Sequence, residues 1–223
     1  MAGQLQLLRN MSKIRAIIFD FDGIISESLH VKTDAFAEMY RPYGDDVERK
    51  VIQHHEAFGG VSRYEKFRIY HGEYLSEEID DRKVLELADQ FSALVLDKVV
   101  ASPYIPGVHE FICKYYDKYD FFISTGTPQE EIEIVMNRNN LTPYFKEIHG
   151  SPTKKEVHVK QIMDKYGYDR SEVVFIGDAT TDRDAARANQ ITFIGRFTTN
   201  EEIKKEKYQI KDFIGFNELL STL

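Results

Sequence analysis

The chain has 223 residues and a formal net charge of -8, with 42% hydrophobic and 30% charged residues. That length supports one large core or a core with a smaller companion, and the composition is that of a globular protein, not a disordered one. The acidic balance argues against a nucleic-acid surface, and no apolar run approaches the roughly 20 residues that span a bilayer.

In chain order, the opening stretch MAGQLQLLRNMSKIR holds an apolar patch too short for a secretory signal core, and Met11 is an alternative start. The run AIIF at 16–19 is strand-length and apolar at successive positions, the pattern of a strand covered on both faces. It ends in DFDG, where Asp20 and Asp22 follow the buried run and Gly23 permits a sharp turn. From about Ser26 to about Pro103 no convincing buried strand appears, only helical patterns such as SEEIDDRKVLELADQFSALVLDKVV. This interval is too long for a loop and reads as a small helical domain inserted after the first strand. Within it, Gly59 and Gly60 mark a flexible loop, while the neighbouring His54 and His55 read as solvated.

Beyond the insertion, EFICKYY reads as an apolar helix, and Cys113, the only cysteine, as a packed core thiol. A single cysteine leaves no intramolecular disulfide and fits a reducing, cytoplasmic compartment. FFIS at 121–124 is a second buried strand, followed by a helix with Ile132, Val135 and Met136 on one stripe. A further helix carries Val159, Ile162, Met163 and Tyr166 before the stop at Gly167. VVFI at 173–176 and ITFI at 191–194 complete the set of buried strands, and KKEKYQIKDF reads as a solvated face. Alternating strand and helix predicts an α/β fold: a doubly wound, Rossmann-like parallel sheet with an inserted, smaller all-helical domain. The expected boundaries are residues 1–25 and 104–223 for the core and 26–103 for the insertion.

In such sheets, ligands bind beyond the carboxyl ends of the strands. Asp20 and Asp22 lie there, and so does GDATTD, with Asp178 just past a strand and Asp182 opening a helix. Two unit charges about 4 Å apart repel by roughly 4 kcal/mol at an effective dielectric of 20, so convergent carboxylates call for a counterion. An all-oxygen donor set suits Mg²⁺ better than Zn²⁺. STGT adds Ser124, Thr125, Gly126 and Thr127 as an anion cradle, and Lys154 and Lys155 supply positive charge ahead of a helix. Together these groups suit a phosphoryl ligand.

DFDG, STGT, a lysine before a helix and GDATTD, in this order, resemble the four motifs of the haloacid dehalogenase (HAD) superfamily. The insertion is similar to that family's helical cap, as in phosphoglycolate phosphatase and β-phosphoglucomutase. The resemblance runs from Lys13 to Leu223. It implies that Asp20 is a nucleophile forming an aspartyl-phosphate and that Asp22 is the general acid–base. It implies that Thr125, with Gly126 and Thr127, holds the phosphoryl oxygens. Lys155 neutralises charge in that scheme, with Lys154 as the alternative register. Mg²⁺ would sit on Asp20, Asp178 and the backbone carbonyl of Asp22, supported by Asp182. GVSR is similar to a cap loop, which makes Arg63, with Lys66 one turn on, a clamp on the substrate's far end. The implied function is a Mg²⁺-dependent phosphatase acting on a small phosphorylated metabolite. A phosphomutase using the same residues and a catalytically idle binding module are the alternatives. Substrate identity and oligomeric state stay open at this level.

Overall fold

The computed structural model describes residues 14–197 and 200–223; the N-terminal apolar patch and Met11 lie outside them. Among the described residues the strands are β1 (Ala16–Phe19), β2 (Asp120–Pro128), β3 (Glu147–Ser151), β4 (Val173–Gly177), β5 (Thr192–Arg196) and β6 (Gln209–Ile210). They form one sheet in the order β3-β2-β1-β4-β5-β6, every neighbouring pair parallel. The fold is the doubly wound α/β arrangement. Successive residues of β1 point to opposite faces, so Ile17 and Phe19 enter one apolar cluster while Ala16 and Ile18 enter the other. Both faces are therefore covered, which is why the run is apolar without alternation.

Between Ser26 and Pro103, after β1, lie four α-helices: α1 (Leu29–Tyr40), α2 (Asp45–Ala57), α3 (Arg63–Ile69) and α4 (Asp81–Val100), with a π-helical turn at Tyr70–Leu75. Asp80 caps α4 by accepting the Lys83 N–H at 2.8 Å. This helical insertion leaves and rejoins the sheet through a short antiparallel ribbon. The Glu27 N–H donates to the Pro103 carbonyl at 2.9 Å, and that of Ile105 to Ile25 at 3.0 Å. Phe36 packs against Phe67, Phe91 and Tyr70 inside the insertion, continuous with the cluster on one face of the sheet.

The remaining helices are α5 (Val108–Tyr115), α6 (Gln129–Arg138), α7 (Lys155–Tyr166), α8 (Thr180–Asn189) and α9 (Phe216–Leu220). The stripe Ile132, Val135 and Met136 is buried, and Gly167 ends α7 in the left-handed region at φ 67°. No helix among the described residues is long and apolar enough to cross a membrane.

Several local expectations need correction. β3, with sequence EIHGS, is largely half-buried, so its polar residues hide it from a search for apolar runs. KKEKYQIKDF is not wholly a solvated face, because Ile210 joins the sheet as part of β6 and Phe213 is buried. Cys113 is half-buried beside His109 and is not a core thiol. His55 is buried, its ring tilted against Phe36 with centroids 4.8 Å apart, while His54 meets the Tyr70 hydroxyl at 3.2 Å.

Candidate active site

β1 lies between β2 and β4, so the reversal of strand order opens a crevice at its carboxyl end. Asp20 is the first residue beyond β1, and its N–H still donates to the Ile176 carbonyl of β4 at 2.9 Å. One carboxylate oxygen accepts the Phe21 N–H at 2.7 Å; the other accepts from Lys155 Nζ at 2.8 Å. The chain then turns tightly, Gly23 N–H to the Ser26 carbonyl at 2.7 Å, with Gly23 at φ 75°. Glycine is required here twice over. A Cβ at this position would stand 2.2 Å from Asp178 Oδ2, so the turn both needs positive φ and leaves room for the acid arriving from β4.

Asp22 lines the same cleft, but its carboxylate faces a different set of partners. Oδ1 accepts from Ser28 Oγ at 2.6 Å, and Oδ2 accepts from Thr127 Oγ1 at 3.1 Å and from Lys32 Nζ. Lys32 also donates to Thr127 Oγ1 at 2.7 Å. Burial works against the charge on Asp22, but Lys32, helped by Ser28 and Thr127, holds its carboxyl below the ordinary range.

Lys155 and Lys154 are separated by the start of α7. Lys155 is buried at the first helical position, bridging Asp20 and, at 2.5 Å, Asp182; Lys154 is exposed. The two carboxylates overcome burial and raise the Lys155 ammonium above its usual value. Asp182 is fully buried and also accepts the Ala179 N–H at 3.0 Å. Burial pushes its carboxyl up to about 7 against the pull of Lys155, and burial plus Asp20 and Asp182 pushes Asp178 well up. Asp20, Asp178 and Asp182 offer carboxylate oxygens within 4.8 Å of one another. Three buried carboxylates facing one lysine leave a surplus of negative charge, and their convergent, all-oxygen set fits a hard divalent cation. The Asp22 carboxylate is outside this group.

From β2, Thr125, Gly126 and Thr127 reach the cleft, with Thr125 and Thr127 buried. The insertion forms the opposite wall through Arg63 and Lys66. The Arg63 guanidinium is already engaged: it donates to both Glu131 oxygens at 2.7 Å and to Ser92 Oγ at 2.7 Å. Lys66 Nζ lies 2.6 Å from His55 Nδ1. Sequence reasoning missed Lys32, His55, Ser92 and Glu131. Lys32 had a local signal, since it lies one turn beyond Ser28 at the entrance to α1. Nothing in the sequence links Glu131 to an arginine 68 residues away.

The model of the haloacid dehalogenase-like hydrolases matches residues 17–196. The chain belongs to this family. Solved structures with the same architecture include a β-phosphoglucomutase from Clostridium difficile, at TM-score 0.74 and 16% identity, covering 94% of this chain and 97% of that one. A predicted phosphoglycolate phosphatase from Haemophilus somnus gives TM-score 0.72 and 17% identity over 94% and 99% of the two chains. A haloacid dehalogenase-like family protein from Streptococcus pneumoniae gives 0.70 and 16% over 96% and 100%. At these identities the shared property is the fold. A search of curated proteins returned no match. In this haloacid dehalogenase-like hydrolase, Asp20, Asp22, Asp178 and Asp182 gather at one strand-end crevice.

Proposed function

We propose that this haloacid dehalogenase-like hydrolase is a Mg²⁺-dependent phosphatase of small phosphate monoesters. Its catalytic core is drawn from residues 1–25 and 104–223, of which 1–13 and 198–199 lie outside the described residues, and residues 26–103 form a cap over the cleft. The observation that carries this reading is Lys155 Nζ 2.8 Å from Asp20, inside a group of three carboxylates within 4.8 Å. A carboxylate attacks a dianionic phosphate only when surrounding positive charge offsets the repulsion. Lys155 supplies part of that charge. Mg²⁺, held by Asp20, Asp178 and the Asp22 carbonyl with support from Asp182, would supply the rest by neutralising the phosphoryl oxygens.

Asp20 attacks phosphorus through a carboxylate oxygen, the P–O ester bond breaks, and the leaving alkoxide takes a proton from Asp22. Thr125 and Thr127, with the Gly126 backbone, hold the phosphoryl oxygens during transfer. Asp22, now ionised, removes a proton from water, whose oxygen attacks the aspartyl-phosphate and releases inorganic phosphate. Lys32, Ser28 and Thr127 favour the ionised form that the second step needs; the first needs the protonated acid, which the negative charge of the arriving ester favours.

The test is phosphate release from p-nitrophenyl phosphate and a panel of sugar and acid phosphates with Mg²⁺ present. Asp20→Asn is expected to lower turnover by at least about 10³-fold, in line with loss of a nucleophile. Turnover that survives this substitution, or an empty panel, overturns the reading. Isomerised ester without free phosphate would assign the chain to the phosphomutases instead.

A further inference from the structure

The cations around the cleft are unevenly matched. Lys32 meets Asp22, Lys155 meets Asp20 and Asp182, and Arg63 meets Glu131. Lys66 meets no carboxylate among the described residues. Its side chain lies 1% exposed on the insertion wall, with its amine 2.6 Å from His55 Nδ1 and 5.5 Å from the centre of the Phe36 ring. Leu29, Phe36, Phe91 and Val61 line the same wall and add no negative charge.

Burial, reinforced by Lys66, lowers the His55 pKa well below its usual value, and an ammonium at Lys66 can only donate, so His55 Nδ1 accepts from it. An ammonium has three N–H donors, and one is spent on His55. Burial, followed by repulsion from Lys32 and Arg63, lowers the Lys66 ammonium to about 7. An amine near that value is about half charged at pH 7, and an anion arriving beside it draws it into the ammonium form. Two free donors and one charge match a carboxylate; a dianionic phosphate would leave a net negative charge buried close to Asp22.

We propose that Lys66, and not Arg63, is the receptor for a carboxylate at the non-reacting end of the substrate, making the substrate class phosphorylated hydroxy acids. This inference rests on the phosphatase reading for its reacting end, where Asp20 and Lys155 face the phosphate. Arg63 has no comparable charge to offer, because Glu131 neutralises its guanidinium and, with Ser92, takes three of its five N–H donors.

The experiment compares 3-phosphoglycerate with glycerol 3-phosphate, which differ at the distal carbon by a carboxylate against a hydroxymethyl group. A hydrogen-bonded charge pair predicts an about 10- to 100-fold preference in kcat/KM for the acid. Lys66→Met and Lys66→Gln are expected to bring that ratio near one, mainly through KM for the acid. The double variant Arg63→Met/Glu131→Leu is expected to keep it. The same preference is read as Kd by calorimetric titration of both esters onto Asp20→Asn, independently of turnover. Equal Kd values, or a preference that survives both Lys66 variants, overturn the carboxylate subsite. A clear Kd preference without hydrolysis of any ester leaves the subsite standing and removes the phosphatase reading.

Discussion

Arg63 and Glu131 face each other as a buried pair with two parallel hydrogen bonds, Nη1 to Oε2 and Nη2 to Oε1, each 2.7 Å. Ser92 donates to Oε2 at 2.6 Å, and the guanidinium carbon lies 4.4 Å from the centre of the Phe91 ring. The pair therefore joins α3 and α4 of the insertion to α6, which follows β2. Burial disfavours the Glu131 charge, but Arg63 holds its carboxyl below the ordinary range. Removing one partner strands the other in a dry site, and such losses cost about 3–5 kcal/mol. Glu131→Gln is expected to lower stability by that order in urea denaturation, whereas Arg63→Met/Glu131→Leu recovers most of it. Additive single and double effects would show that the two groups do not act as a unit.

The carboxylates of Asp178 and Asp182 predict a metal-linked stability. Both are raised, Asp182 from 3.8 to about 7, so the folded metal-free chain holds protons that the unfolded chain has already released. The contribution of these two carboxylates to the metal-free chain's stability accordingly falls as pH rises from about 4 through 7. Asp178→Asn removes one of the repelling charges and is expected to raise the melting temperature in EDTA. Mg²⁺ at about 100 times its Kd adds about 2.7 kcal/mol to the wild type by mass action, and little to the variant. A wild-type melting temperature indifferent to Mg²⁺ would contradict this account of the carboxylate group.

The sheet centre and the acid positions were legible because their causes are local. AIIF and VVFI are apolar at every position since both faces of β1 and β4 are covered, and acids directly after them fall in the crevice. Gly23 was legible as a turn, although its second duty, admitting Asp178, depends on a residue far along the chain. The distal wall was not legible. Arg63 looked like a free clamp because its neutralising partner lies on another helix, and His55 looked solvated because Phe36 and Lys66 cover it only after the helices pack. β6, two residues long among lysines, carries no periodic signal at all.

The loop at Gly60 rests directly on the core. A Cβ there would stand 1.7 Å from Thr181 Oγ1 and 3.1 Å from the Ala179 Cβ, while the Gly60 carbonyl lies against Gly126. Gly60→Ala is expected to lift this loop and lower kcat/KM about tenfold, as small displacements of positioning elements do. The obstacle is a side chain whose hydroxyl is buried without a hydrogen-bond partner, so Thr181→Ala frees space at little cost. Gly60→Ala/Thr181→Ala should regain part of the lost kcat/KM. Failure of the second change to help would place the defect elsewhere than in this contact.

His158 gives the chain an acid-side stability limit separate from the carboxylates. Its Nδ1 lies 2.9 Å from Ser124 Oγ at the mouth of β2, and its ring stacks on His149 with centroids 5.1 Å apart. Burial first, then His149 and Lys155, lowers its pKa from 6.5 to about 4. Between those values the unfolded chain binds a proton that the folded chain refuses, so the His158 contribution to stability falls as pH drops from 6.5 to 4, against the opposite slope of the metal-free carboxylates. The depression corresponds to a loss of about 3 kcal/mol at the acid end. His158→Gln, which forms no such charge, is expected to flatten this segment of the curve, at a cost near neutral pH of about 1 kcal/mol for the altered Ser124 contact. Urea midpoints taken across the interval decide the point: an undiminished slope in His158→Gln would assign the acid sensitivity to another group.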